Sequence, residues 1–281
     1  MALYLRPTEV DEAVAALAAN DALTILAGGT DFYPARVGRP AARAPDVLDI
    51  TALRGLRGIT DDGDRLRIGA ATTWSDIVRS DLPPWFDGLK RAAREVGGVQ
   101  IQNAGTIAGN LCNASPAADG VPCLLALDAT VELASHAGRR TLPLDAFVTG
   151  NRRTARRPDE LVTAILVPKP LRAARATFLK LGARRYLVIS IAMVAAVIET
   201  DGDVVAAARV TVGACSPVAR RLPALEAALA GRLLSPALGE VPEPAHLAPL
   251  SPIEDPRGTA AYRADAALTL VRRALTELAA P

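Results

Sequence analysis

Apolar residues fall into two spacings along this chain, and the changes between them mark its elements. After Pro7, Val10, Ala13, Val14 and Leu17 recur at helical intervals. The preceding Thr8-x-x-Asp11 pair reads as the helix cap. Residues 22–26 form a short apolar run that predicts a buried strand, running directly into Ala27-Gly28-Gly29-Thr30-Asp31. Runs at 47–50 and 66–70 predict further strands, the second preceded by a turn at Asp61-Asp62-Gly63-Asp64. Helical spacing returns after Ala71-Thr72-Thr73 with Trp74 and Ile77, then with Leu89, Ala92, Ala93 and Val96, and stops at Gly97-Gly98. Past a stretch of small residues, 130–134 and 140–144 read as strands joined at His136-Ala137-Gly138, and 161–167 as a strand closed by Pro168 and Pro170. That proline pair marks a domain boundary. Strands at 178–181 and 189–199 follow, then a hairpin at Asp201-Gly202-Asp203 and a strand over 204–213. Helices at 223–230 and 261–278 close the chain. Between them, 231–256 carries six prolines and reads as an extended surface loop.

The resulting order is mixed, with neither an internal repeat nor a long βα alternation. At 281 residues, half of them hydrophobic, the chain is long enough for two domains with a well-buried core. A net charge of only +2 argues against a nucleic-acid-binding protein. Three of the 32 basic residues are lysine, at 90, 169 and 180, a compositional bias. Pairs such as Arg139-Arg140 and Arg152-Arg153 read as solvated faces. Cys112, Cys123 and Cys215 form no CxxC pair and have no histidine at metal-ligand spacing, and His136 and His246 lie in loop-like surroundings. No metal site is expected. The N-terminus lacks a basic segment followed by an apolar core, and the apolar run 187–198 has 12 residues against the ~20 that span a bilayer. The expectation is a cytoplasmic protein with no membrane span.

Few side chains in the central stretch 97–127 can perform chemistry. Its small residues, Gly105-Thr106-Ile107-Ala108-Gly109-Asn110 and then Ser115-Pro116-Ala117-Ala118-Asp119, offer space and backbone N–H groups instead. The 27–31 segment has the same character, although a lone Gly-Gly is more often an ordinary tight turn. Two such loops suit a pyrophosphate, with Thr106 and Asn110 adding side-chain hydrogen bonds. Asp119, which as a carboxylate only accepts hydrogen bonds, suits the hydroxyls of a sugar or ribityl chain. Neither a GxGxxG signature nor a P-loop is present, and Ser115 and Ser216 precede prolines without a nucleophile elbow. Redox chemistry, if any, is carried by a bound cofactor.

ILAGGTDF at 25–32, IGAATTWSDI at 68–77, VQIQNAGTIAGNLCNASPAAD at 99–119 and FVTGNRRTARRPDELV at 147–162, with SPVARRLPALEAAL and RGTAAYRADAALTLVRRAL nearer the C-terminus, lie in the order and spacing of one family. Together they resemble the FAD-binding medium subunit of the molybdenum hydroxylases, a family that includes carbon monoxide and xanthine dehydrogenases. The resemblance implies an α+β chain. A two-subdomain FAD-binding fold of the vanillyl-alcohol oxidase/PCMH type would cover 1–170, divided near residues 56 and 57, and an α/β C-terminal domain 171–281. It places FAD contacts at Leu26, Ala27, Gly28, Gly29, Thr30 and Asp31, at Thr106, Ile107, Ala108, Gly109 and Asn110, and at Ser115, Asp119, Val162, Lys180 and Ile189.

Three departures stand out. Val96 lies where some relatives have an aromatic residue. Ala108 replaces the second glycine of the TIGGN loop and is tolerated if its φ is negative. Val188 replaces an acidic residue close to the flavin, near which Tyr186 or Ile189 is also expected. The implied role is electron transfer. Iron–sulfur clusters on a small partner subunit would pass electrons to FAD on this chain and on to an external acceptor, while a large subunit binds molybdopterin, in a dimer of heterotrimers. A free-standing flavin reductase or dehydrogenase of the same fold, and a scaffold without FAD, are the alternatives.

Overall fold

A computed structural model describes residues 2–38, 44–185 and 187–280. It opens with β1 (Tyr4–Leu5), α1 (Val10–Ala19), β2 (Thr24–Leu26) and β3 (Val47–Asp49), and the three strands form a parallel sheet in the order β1-β3-β2. Ala13, Val14 and Leu17 of α1 are buried with Leu48, Leu53 and Leu56, as the helical spacing predicts. The cap differs. Glu9 is the N-cap, and the Glu12 carboxylate accepts from the Thr8 and Glu9 N–H groups (3.0 and 3.4 Å), so the expected Thr8–Asp11 pair is not used.

The second part is built on a five-stranded antiparallel sheet, β4-β5-β10-β6-β7, comprising β4 (Ile59–Asp61), β5 (Arg65–Gly69), β6 (Thr130–Ser135), β7 (Gly138–Pro143) and β10 (Leu161–Pro168). Five helices join β5 to β6. They are α2 (Trp74–Arg79), α3 (Asp87–Glu95), α4 (Val99–Ala104), α5 (Ile107–Asn113) and α6 (Gly120–Ala126). Two of them, α4 and α5, lie where a loop of small residues is expected. A short α7 (Leu144–Phe147) and the hairpin β8 (Val148–Gly150), β9 (Arg153–Thr154) lead from β7 towards β10.

The third part is a four-stranded antiparallel sheet of β11 (Ala173–Leu181), β12 (Ala192–Asp201), β13 (Val204–Gly213) and β14 (Arg220–Arg221), followed by α8 (Pro223–Leu229) and α9 (Ala260–Leu278). Successive side chains of a strand point to opposite faces. On β12, Met193, Ala195 and Val197 join the core beneath α3 and α6, while Ala192, Val194, Ala196 and Ile198 pack with Leu225, Leu270 and Val271 of α8 and α9. This double burial explains the unbroken apolar run. Among the described residues, no helix is long and apolar enough to cross a membrane. The 231–256 segment is less extended than its prolines suggest, since short 3₁₀ turns at Pro236–Glu240 and Pro244–Leu247 bury Leu238 and Leu247 against the helices.

Candidate cofactor site

The two glycine segments meet. Strand β2 delivers the chain to Gly28, where an added Cβ would lie 1.7 Å from Ala104 O and 3.0 Å from Gly105 N. Only a residue without a side chain allows the backbone of one segment to rest on the other. Gly29 then takes φ +71°, a conformation that suits glycine, and turns the chain away. Backbone bonds fix the opposite segment: Trp74 N–H donates to Gly105 O (3.2 Å) and Ile107 N–H to Thr72 O (2.9 Å), with a bridge between Thr73 and Thr106.

Between the segments lies a cavity of about 680 Å³, walled by Ala27, Gly28, Gly29, Thr30, Asp31, Thr106, Ala108, Gly109, Asn110 and Val162 among others. A volume of that order fits a large organic ligand. No N–H from Ala27 to Asp31 donates to any acceptor among the described residues. Residues 27–30 are half-buried and Asp31 is exposed, so this run of N–H groups along a cavity wall is free to receive an anionic ligand. The facing segment contributes differently from expectation. Ile107–Asn113 is a helix whose first N–H groups are already engaged by its cap and by a neighbouring segment, Ala108 to Ala70 O (3.3 Å), Gly109 to the Thr106 side chain (3.1 Å) and Asn110 to Thr106 O (3.0 Å). What it offers is a wall free of bulky side chains and the Asn110 amide, whose buried Oδ1 has no partner among the described residues. Ala108 is helical with negative φ, the condition under which its methyl group is tolerated.

Arginines line the mouth. Arg36 lies over the Phe32 ring at 3.6 Å, and Arg152 reaches across to Asp31 (3.3 Å) and to the Asn113 side chain. Arg36, Arg152 and Arg156 all belong to the wall. Sequence reasoning misses them, because Arg152 reads as half of a solvated pair. Its φ of +57° and its N–H bond to Ala114 O (2.8 Å) set its direction, so that while still about half exposed it reaches Asp31 and Asn113.

The first 170 residues match the family model described as the FAD binding domain in molybdopterin dehydrogenase, and 177–278 match the CO dehydrogenase flavoprotein C-terminal domain. The chain belongs to the molybdopterin dehydrogenase flavoprotein family. It is 31% identical to the nicotine 6-hydroxylase medium subunit of Paenarthrobacter nicotinovorans over 99% of this chain and 97% of that one. It is likewise 31% identical to the carbon monoxide dehydrogenase medium chain of Hydrogenophaga pseudoflava, covering 97% and 95%. Among solved structures, carbon monoxide dehydrogenase from Hydrogenophaga pseudoflava superposes with a TM-score of 0.86 at 31% identity, covering 99% of this chain and 96% of that one.

Not every residue implied by the family resemblance lies in the wall of this flavoprotein's cavity. Leu26 and Ile107 are core residues behind it, at 5% and 0% exposure. Ser115 accepts from Ala117 N–H (3.3 Å), Ile189 is exposed, and Tyr186 lies outside the described residues. Val188 folds back over Gly182 as an apolar clasp, since a Cβ at Gly182 would meet it at 2.4 Å. Asp119 and Lys180 instead form a buried pair, with Lys180 Nζ 2.9 Å from Asp119 Oδ1, the Ser190 hydroxyl donating to Asp119 (3.3 Å) and Nζ also reaching Glu95 O (3.4 Å). Burial pushes the Asp119 carboxyl up to about 6, although Lys180 and Ser190 both pull it down.

Proposed function

We propose that this chain is the FAD-carrying electron-transfer subunit of a molybdenum hydroxylase. It would take electrons from iron–sulfur clusters on a small partner subunit and pass them to an external acceptor, while a molybdopterin-binding large subunit hydroxylates the substrate. The observation that carries the reading is the row of unpaired N–H donors at 27–31 facing a glycine-lined cavity in a chain of this family. In this reading residues 1–170 are the FAD-binding domain and 171–281 the C-terminal domain, and the complex is a cytoplasmic dimer of heterotrimers.

FAD supplies the one- and two-electron chemistry when bound. The chain binds and orients it. Gly28, Gly29, Thr30 and Asp31 would offer their N–H groups to the pyrophosphate, and Asn110 the N–H of its side-chain amide. Arg36 and Arg152 would balance phosphate charge, Val96, Ile101 and Val162 would supply apolar contacts, and the Asp119–Lys180 pair, which lies behind the cavity wall, would support the flavin end.

The purified chain is expected to show a flavin spectrum and to copurify with large and small subunits when the three are coexpressed. A colourless chain would favour an FAD-less scaffold, and a coloured one that never associates would favour the free-standing enzyme. Gly109→Asp sets a carboxylate on the cavity wall against the pyrophosphate and is expected to abolish FAD retention. Normal flavin content in that variant would remove the α5 wall from the site.

A further inference from the structure

Arg263, near the start of α9, is almost completely buried, with its side chain 3% exposed. One terminal nitrogen donates to Ile191 O (2.6 Å) and Ala214 O (3.2 Å), and the other to Asp255 Oδ1 (2.7 Å). Both carbonyls belong to residues that hold the Asp119–Lys180 region from behind. Ile191 donates its N–H to Leu181 O (2.8 Å), beside Lys180, and follows Ser190, whose hydroxyl donates to Asp119. Ala214 donates its N–H to Pro116 O (3.0 Å), in the segment that leads to Asp119.

Ala214 also has φ +63°. A non-glycine residue in this region is strained and persists only where its surroundings over-determine it. Here Pro116 accepts from its N–H and Arg263 donates to its carbonyl, fixing the peptide groups on both sides. A single guanidinium thus fixes both chain crossings that support the buried pair. The terminal nitrogens of this buried arginine are spent on the Ile191 and Ala214 carbonyls and Asp255, while its Nε has no partner among the described residues; a desolvated guanidinium is costly unless its charge and donors are engaged.

We infer that Arg263 is a positioning residue for the cofactor site, acting through Ile191–Ser190 and through Ala214–Pro116 to hold Asp119 and Lys180 in place. This rests on the reading that the Asp119–Lys180 pair stands against the flavin. Arg263 itself is not among the residues that wall the cavity. Its reach is through the Ile191 and Ala214 carbonyls and, at the last step, the Ser190 hydroxyl.

The test uses the FAD-loaded chain and reads the FAD dissociation constant, the visible circular dichroism of the flavin at saturating FAD and its midpoint potential. Arg263→Lys keeps the charge but loses the planar fork. It is expected to weaken FAD binding roughly ten-fold and to alter the flavin dichroism and potential. Ser190→Ala, which cuts only the last link, is expected to reproduce those changes with little loss of thermal stability. In an Asp119→Asn background, where that link has lost its charged acceptor, both effects should shrink to within about two-fold. A merely structural arginine would lower the melting temperature while leaving the dichroism and potential of bound FAD unchanged in both Arg263→Lys and Ser190→Ala, and that result would overturn the inference. Should Arg263→Lys fail to fold, Ser190→Ala decides alone by the same readings. If Asp119→Asn by itself leaves FAD affinity and potential untouched, the pair does not face the flavin and the inference falls with that reading; if Asp119→Asn moves them and the other two variants do not, only the inference falls.

Discussion

Gly28→Ala is expected to yield a chain that folds less stably and purifies without FAD. The new Cβ would sit 1.7 Å from Ala104 O, 2.5 Å from Ala104 C and 3.0 Å from Gly105 N. These are backbone atoms at the end of a helix, so no rotamer change relieves the clash. The chain can respond only by parting the two segments. Overpacking of a tight site usually costs about 1–3 kcal/mol, and here the whole displacement falls on the contact that sets the width of the cavity. Donors at Gly28, Gly29 and Thr30 would move with it. A loss of about 3 kcal/mol of binding energy corresponds to roughly a hundred-fold weaker complex, enough to strip FAD during purification. Flavin absorbance per chain and the melting temperature are the measurements. A lower melting temperature with full flavin content would place the segment contact outside the cofactor site.

That contact was only half legible beforehand. Glycines at 28 and 29 announce a sharp turn, but nothing in a linear pattern says that one of them faces Ala104. Strands and long helices were readable wherever burial was one-sided or periodic, as in α1, α3 and α9. Strand β12 was readable for the opposite reason, because both of its faces are buried and its apolar run is continuous. By contrast, α4 (VQIQNA) buries none of its residues, and α5 (IAGNLCN) has a one-turn apolar stripe of Ile107, Ala108 and Leu111 set among small and polar residues, too short to read as a helix. α5 is a helix because the Thr106 side chain accepts from Gly109 N–H and because Thr72 and Ala70 accept from the Ile107 and Ala108 N–H groups, bonds that exist only after the fold has formed. Consequently the phosphate donors were expected on both segments, whereas one of them spends its N–H groups internally. The partnership of Asp119 with Lys180, 61 residues apart, was equally hidden. Its one trace was a lysine in a chain that otherwise favours arginine.

Lys180→Met should be among the most destabilising single substitutions in the chain at neutral pH and much milder in acid. Its side chain is 6% exposed and that of Asp119 10%. Removing the cation leaves a buried carboxylate with one hydroxyl partner, a loss of about 3–5 kcal/mol in comparable pairs. That corresponds to a fall in melting temperature of the order of 10 °C for a chain of this size. The sign of the pH dependence follows from Asp119. Its folded pKa, already about 6, rises further without Lys180, whereas in the unfolded chain it returns to about 3.9. The folded state then binds the proton more tightly. Its stability relative to the unfolded chain increases as pH falls through that raised value towards 3.9, and is lowest above it. The penalty of Lys180→Met, measured by thermal unfolding, should therefore be large at pH 8 and should shrink at pH 5, where Asp119 is neutral and the lysine of the parent chain has itself lost its partner. Asp119→Asn combined with Lys180→Met removes both charges and should recover most of the loss at pH 8, since replacing a whole buried pair is often nearly neutral. A penalty equal at both pH values, or a double variant as unstable as the single one, would show that the charge pairing is not what the lysine contributes.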